Sequence, residues 1–258
     1  MRYFIVYAHP EPRSLNGSLK DAAVAALREA GHAVRVSDLY AMGFKAVADA
    51  GDFPGRHPGE RLVYHRASGQ AYAAGQQSPD IAQEQAKLRW ADVVVLQFPL
   101  WWFSVPAILK GWMDRVFAHG FGIGVPKETT DGTRQWLRYG EGRLAGRRAL
   151  LAVTTGAREG QFSARGINGP IEDMLFPINH GLFHYTGLAP LTPFVAFQTV
   201  RATEDEFELM RQRYVARLLA ASGEAPLRYR WENGGDYDNG VLRPGVAEGR
   251  SGFALHQE

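Results

Sequence analysis

Gln97-Phe98-Pro99-Leu100-Trp101-Trp102-Phe103-Ser104-Val105-Pro106-Ala107-Ile108-Leu109-Lys110-Gly111-Trp112-Met113-Asp114-Arg115-Val116-Phe117 is the densest aromatic segment of the chain, and it joins a strand, a loop and a helix. Just upstream, Asp92-Val93-Val94-Val95-Leu96 is an apolar run without alternation. Such a run fits a strand covered on both faces, as in a parallel sheet. Downstream, Val105, Ile108, Leu109, Trp112, Met113 and Val116 recur at helical spacing, with Ser104 as the expected cap and Pro106 in the first turn. Pro99, Leu100, Trp101, Trp102 and Phe103 are thereby left on the rim at the carboxyl end of the sheet. Open α/β sheets bind ligands at that rim, and three adjacent exposed aromatics there form a costly apolar patch unless something flat covers them. A planar ring system is the natural ligand. The competing use of the same rings is to fill core or an interface.

The rest of the composition narrows the classes. With 258 residues, 45% hydrophobic and 22% charged, the chain can bury one large core, or one domain and an appendage. A formal charge of +2, evenly spread, gives no footprint for nucleic acid, while small anionic ligands are compatible with it. The absence of cysteine excludes disulfides, thiolate metal sites and a cysteine nucleophile, and no metal ligand set is expected. The apolar run in Met1-Arg2-Tyr3-Phe4-Ile5-Val6-Tyr7 is too short for a signal sequence and ends at Ala8-His9-Pro10-Glu11-Pro12. No segment offers the roughly 18 uninterrupted apolar residues of a membrane span, so the expected compartment is the cytoplasm.

In chain order, residues 3–7 read as a first strand. Asn16 is the expected cap of a helix whose apolar face is Leu19, Ala22, Ala23, Ala26, Leu27 and Ala30, closed by Gly31, and residues 33–36 follow as a second strand. The loop between strand and helix, residues 9–18, lacks both the Gly-x-Gly-x-x-Gly pattern and a phosphate loop with Gly-Lys-Ser/Thr. It offers Ser14, Asn16 and Ser18 near a helix start, which can hold a phosphate without a metal or can act simply as caps. Residues 41–77, with many Gly and Pro, read as an extended excursion with a functional or partner role. Ser78-Pro79-Asp80 opens a helix leading to the third strand. Residues 118–147 read as irregular, with turns at Thr129-Thr130-Asp131-Gly132 and Gly140-Glu141-Gly142.

Residues 148–154 form an expected fourth strand that runs into a second rim loop at Thr155-Gly156-Ala157. Residues 169–187 read as helix in pieces, interrupted at Pro177, and residues 191–197 as a fifth strand. Thr203 and Glu206 make a capping box for a helix to about Leu219, with Phe207, Met210, Tyr214 and Leu218 inward. The tail, residues 221–258, shows no period and reads as an extended arm, on a partner subunit or partly mobile. His32, His119 and His180 read as surface or satisfied histidines rather than ligands. The sum is an α/β, flavodoxin-like, doubly wound five-stranded parallel sheet of order 2-1-3-4-5, residues 1–220, with residues 221–258 as a C-terminal extension. Three rim loops near 9–18, 99–103 and 154–157 converge where that topology holds a flavin.

Ala8-His9-Pro10, Ser37-Asp38-Leu39-Tyr40-Ala41-Met42, Gln97-Phe98-Pro99-Leu100, Trp102-Phe103, Pro106-Ala107-Ile108-Leu109-Lys110-Gly111-Trp112 and Thr154-Thr155-Gly156 resemble the NAD(P)H:quinone oxidoreductases of the DT-diaphorase type and their bacterial relatives. The resemblance runs from Met1 to about Leu219. It implies a homodimer with one flavin per active site, FAD or else FMN, built at the subunit interface, with NAD(P)H as reductant and a quinone or similar flat molecule as acceptor. By the same resemblance His9, Ser14, Leu15 and Asn16 match the surroundings of the flavin's phosphates and ribityl chain. Pro99, Leu100, Trp101, Trp102 and Phe103 match the wall against its ring, and Thr154, Thr155, Gly156 and Ala157 match the loop at the ring's polar edge. It also implies catalytic roles at Gly156 and Asn168, and an acceptor site of Trp102, Phe121, Phe162, Asn168 and Tyr185.

The physical chemistry agrees, since an isoalloxazine needs an apolar face and donors where charge collects on reduction. The chain departs from the best-studied members at Phe162 and Asn168, where they carry a tyrosine and a histidine, and neither residue titrates near neutral pH. Phe121-Gly122-Ile123-Gly124 likewise stands where they carry substrate-covering tyrosines. The function expected is a flavin-dependent two-electron reductase. A flavin-binding regulatory subunit of a membrane transporter is the alternative, and a small acidic electron carrier fits this chain less well.

Overall fold

The apolar runs at residues 3–7 and 93–98 become the centre of a parallel sheet because nothing in either run is left to face water. The computed structural model describes residues 1–128, 132 and 134–258, so residues 129–131 of an expected turn lie outside the described residues. Strand β1 (Arg2–Tyr7) pairs in parallel with β2 (Ala33–Asp38) on one side and β3 (Val93–Pro99) on the other, with Ile5 opposite both Val36 and Val95. Beyond β3 lies β4 (Arg148–Thr154), with Pro99 opposite Thr154. The outer edge is shared by two short pieces, β5 (Ala189–Pro190) and β6 (Phe194–Ala196), both parallel to β4. The order 2-1-3-4 with a split fifth position confirms the doubly wound sheet. The single fifth strand expected at 191–197 is corrected: Pro190 and Pro193 have no N–H to give a ladder, and pairing breaks between them.

Alternation along the strands feeds two cores. Phe4, Val6, Val94, Leu96 and Leu151 face α3 (Pro79–Trp90), α4 (Ala107–Val116) and α5 (Ile171–Ile178). Tyr3, Ile5, Val93, Val95 and Leu150 face α1 (Leu15–Glu29) and α6 (Glu204–Ala220). The Ser78-Pro79 start and the Thr203/Glu206 capping box stand as expected. Two caps do not. Ser14 caps α1, its Oγ accepting from the Gly17 N–H at 3.0 Å, so Asn16 lies inside the first turn and is buried. Pro106, with no side-chain cap bond, precedes α4, and Ser104 belongs to the turn before it.

The excursion at 41–77 is more ordered than its composition suggests. It holds a 3-10 turn (Ala50–Asp52) and α2 (Tyr64–Ala74), and Asp52 anchors it by pairing with Arg115 of α4 at 2.8 Å, both side chains buried. Pro177, without an N–H for the preceding turn, sits just ahead of a single π turn (Asn179–His184). The tail folds back on its own chain. Glu232 takes a bidentate hydrogen bond from Arg138, and the Phe253 ring stacks on Phe176 at 4.2 Å between centroids.

Candidate active site

The carboxyl ends of β1, β3 and β4 open into a cleft of about 360 Å³. Its lining gathers all three expected rim loops: His9, Ser14, Leu15 and Asn16 from the first, Pro99, Leu100 and Trp101 from the second, and Thr154, Thr155 and Gly156 from the third. Among the described residues the lining contains no carboxylate, and His9 is the one ionisable residue there. His9 is oriented locally, its Nδ1 accepting from the Glu11 N–H at 3.1 Å. The first turn of α1 presents its N-terminal N–H groups here, where the Ser14 hydroxyl takes the Gly17 donor and the Ser14 carbonyl the Ser18 donor.

Beside the cleft the chain makes a tight turn in which Trp101 and Ser104 exchange backbone hydrogen bonds, each at 3.0 Å. The two central residues, Trp102 and Phe103, both hold positive φ, 48° and 59°. A reversal with φ positive at both centres favours Asn-Gly, and for bulky residues that backbone is an outlier. Trp102 is 94% exposed and Phe103 54%, so neither ring gains the core packing that would repay the strain. Strain of this kind concentrates at functional sites. Installing the favoured pair, Trp102→Asn with Phe103→Gly, is therefore expected to stabilise the flavin-free single protomer by about 1–2 kcal/mol. Calorimetry would then show a higher Tm. A lower one would mean that the aromatic rings, and not the turn, hold this segment.

The third loop is tied to the strand edge. The Thr155 N–H donates to the Ala196 carbonyl at 2.9 Å and the Thr199 N–H to the Thr155 carbonyl at 3.1 Å. These bonds bring Thr199 and Val200 onto the cleft, two residues the sequence reading missed. The only local signal is structural, the left-handed φ of 57° at Gln198 that turns the chain inward. Gly156 is set tightly under Val200, where an added Cβ would meet its Cγ2 at 2.7 Å. Ala157 stands one step behind, its N–H donating to Thr155 Oγ1 at 3.3 Å.

The residues expected to hold an acceptor are not gathered at one place. Phe121 is fully buried in the core against Phe117 and Tyr72, with no surface to offer. Phe162 is 5% exposed and packs on Phe197. Asn168 is half-buried in the loop following Phe162, where its N–H donates to the Gln161 carbonyl at 3.0 Å. Tyr185 lines a second, largely apolar cavity of about 530 Å³ with Ser104, Val105, Met113, Phe117, Ile123 and Leu182. The turn stands between the two spaces, Trp101 at the first and Ser104 at the second.

Residues 1–218 match the family model described as the flavodoxin-like fold. A ribosyldihydronicotinamide dehydrogenase-like protein of Penicillium crustosum is 48% identical over 260 residues, covering 99% of this chain and 95% of the relative. The human ribosyldihydronicotinamide dehydrogenase [quinone] is 41% identical over 227 residues, covering 88% and 94%. A crystal structure from Klebsiella pneumoniae, described as a candidate quinone reductase, superposes with a TM-score of 0.94 at 48% identity, covering 100% of both chains. With the sheet order, the three rim loops and these relatives together, the chain belongs to the flavodoxin-like NAD(P)H:quinone oxidoreductase family.

Proposed function

We propose that the protein is a flavin-dependent two-electron reductase that uses NAD(P)H and FAD to reduce a quinone or a similar flat acceptor. The observation that carries this reading is the pairing, at one switch point, of a donor-lined cleft with a strained, exposed aromatic turn. The donor set fits such a cofactor: hydroxyls and a helix N-terminus suit a phosphate, and no lining carboxylate opposes one. In this reading His9, Ser14, Leu15 and Asn16 hold the phosphates and ribityl chain, Pro99, Leu100 and Trp101 with the turn at Trp102 and Phe103 flank the ring, and Thr154, Thr155, Gly156 and Ala157 meet its polar edge. When bound, the flavin supplies the chemistry, accepting hydride from the nicotinamide and delivering it to the acceptor.

The chain's own contribution is to bind, orient and exclude water. We assign Asn168 to the acceptor side, where its amide can donate a hydrogen bond but cannot titrate. The active unit in this proposal is a homodimer, with the exposed Trp102 and the apolar second cavity at the contact between copies, and residues 221–258 form an arm outside the catalytic unit of 1–220.

The test is a visible spectrum of the purified protein, with the released flavin identified by mass and turnover measured with NADH, NADPH and a simple quinone. A yellow protein that bleaches on NAD(P)H and recovers with quinone is expected. A colourless protein that takes up neither FAD nor FMN would overturn the proposal. Tight flavin without turnover, together with co-sedimentation with membranes, would favour a transporter's ancillary subunit instead.

A further inference from the structure

A buried chain of hydrogen bonds runs from α6 through the sheet to the cleft. Tyr214, Gln97, Asn16 and Thr154 are 0%, 1%, 3% and 6% exposed, and they come from four different elements. The direction of the chain follows from one fixed point. A backbone carbonyl only accepts, so the atom of Gln97 that lies 2.7 Å from the Asn16 carbonyl oxygen must be its nitrogen, Nε2. Gln97 Oε1 then faces Tyr214, whose hydroxyl must donate to it, at 3.0 Å. The same Nε2 also donates to Asn16 Oδ1 at 3.1 Å, which turns Asn16 Nδ2 toward Thr154. There it donates to Thr154 Oγ1 at 2.8 Å.

Every donor in the series points the same way, and Thr154 Oγ1 enters the last link as an acceptor. Its own proton is left over. Among the described residues no protein group accepts that proton, and Thr154 lines the cleft. Bonds aligned in this manner polarise one another, which strengthens the terminal donor.

We propose that Gln97 and Tyr214 are positioning residues that hold the Thr154 hydroxyl as a hydrogen-bond donor toward the ligand in the cleft. The identity of that ligand rests on the flavin reading; the orientation of the chain does not. Neither residue lines the cleft, so an effect of either on binding has to pass through Asn16 and Thr154.

The experiment is a double-mutant cycle on FAD binding to flavin-free protein, read by fluorescence titration. Thr154→Val and Gln97→Met should each weaken binding roughly three- to tenfold, the range of one neutral hydrogen bond. The double variant should lose clearly less than the product of the two single losses, because part of the Gln97 effect passes through Thr154. Thr154→Ser should restore native affinity and Tyr214→Phe should weaken it by a smaller factor. Independent, multiplying effects, or native affinity in Gln97→Met, would overturn the proposal.

A second readout needs no flavin. In the free protein, hydrogen exchange of the Asn16 side-chain amide, followed by NMR, should be slow and should speed up at least roughly tenfold in Gln97→Met. Unchanged exchange overturns the positioning role whatever the cleft binds. A native protein that takes up neither FAD nor FMN overturns the functional reading instead, and the exchange result then decides the role of Gln97.

Discussion

Replacing Asp52 by alanine is expected to destabilise the protein by about 3–5 kcal/mol, the usual cost of removing one partner from a buried ion pair. Asp52 and Arg115 are 0% and 1% exposed. Arg115 Nε and Nη2 donate to Asp52 Oδ1 at 3.1 and 2.8 Å, and Tyr64 donates to Oδ2 at 2.8 Å. Burial alone would raise the pKa of the Asp52 carboxyl. The bonds from Arg115, Lys45 and Tyr64 overcome it and hold the pKa below the usual carboxylate value. Without the carboxylate, the guanidinium keeps, among the described residues, Asp80 at 2.6 Å, the Lys45 carbonyl at 2.7 Å, a long bond from Nη2 to the Ser78 hydroxyl at 3.4 Å and the face of the Phe44 ring 5.0 Å away. In a chain of this size the loss corresponds to a fall in Tm of roughly 10 °C. Lys45→Ala, which removes a partly exposed amine from the same group, should cost about 1 kcal/mol or less. Urea titration of the two variants separates the cases; equal, small losses would show that Asp80 takes over the guanidinium. Because Arg115 lies on the helix that leaves the aromatic turn, this clamp also fixes where the turn stands.

That clamp marks the boundary of what the sequence made legible. The sheet could be read because its strands are continuous apolar runs, and the rim loops because they follow those strands directly. Asp52 and Arg115 are 63 residues apart, and no local pattern announces that a Gly- and Pro-rich excursion sends one carboxylate into the core to meet a helix. The cap of α1 was misplaced by two residues since Ser14 and Asn16 are equally good caps. What decides between them is the tertiary bond from Asn16 to Thr154. Thr199 and Val200 reach the cleft through backbone bonds that carry no residue preference. Phe121 is placed at the acceptor site by the family resemblance alone, and no residue pattern around it shows that its ring fills the core between Phe117 and Tyr72.

Below pH 6.5 the native protein is expected to lose stability faster than a His180→Phe variant, with the tail loosening first. His180 lies in the π turn, its ring stacked on Phe176 at 4.5 Å and close to Tyr139, His184, Tyr229 and His256, with centroids 4.9, 5.5, 5.2 and 5.6 Å away. Burial, and then the neighbouring His184 and His256, push its pKa down to about 3 from an ordinary 6.5. Arg138 and Arg230 line a cavity together with His180, and their carboxylate partners Glu232 and Asp236 already hold them. Burial lowers His184 as well, partly offset by its bond to the Arg230 carbonyl. Between pH 6.5 and 3 the unfolded chain therefore takes up a proton at residue 180 that the folded chain refuses, so stability is full above that window and falls through it. Each tenfold loss of proton affinity is worth about 1.4 kcal/mol, and because the ring is only half-buried, water screens part of the effect and leaves about 2–3 kcal/mol at the acid end. Phenylalanine can keep the stack on Phe176 and cannot take a proton. Other titrating groups are common to both proteins, so the difference between their urea midpoints from pH 7.5 to 4 isolates His180. Since Tyr229 and His256 of the tail pack on this ring, proteolysis within residues 221–258 should rise in the same window for the native protein and stay lower in the variant. Parallel stability curves for the two proteins would place the acid sensitivity elsewhere.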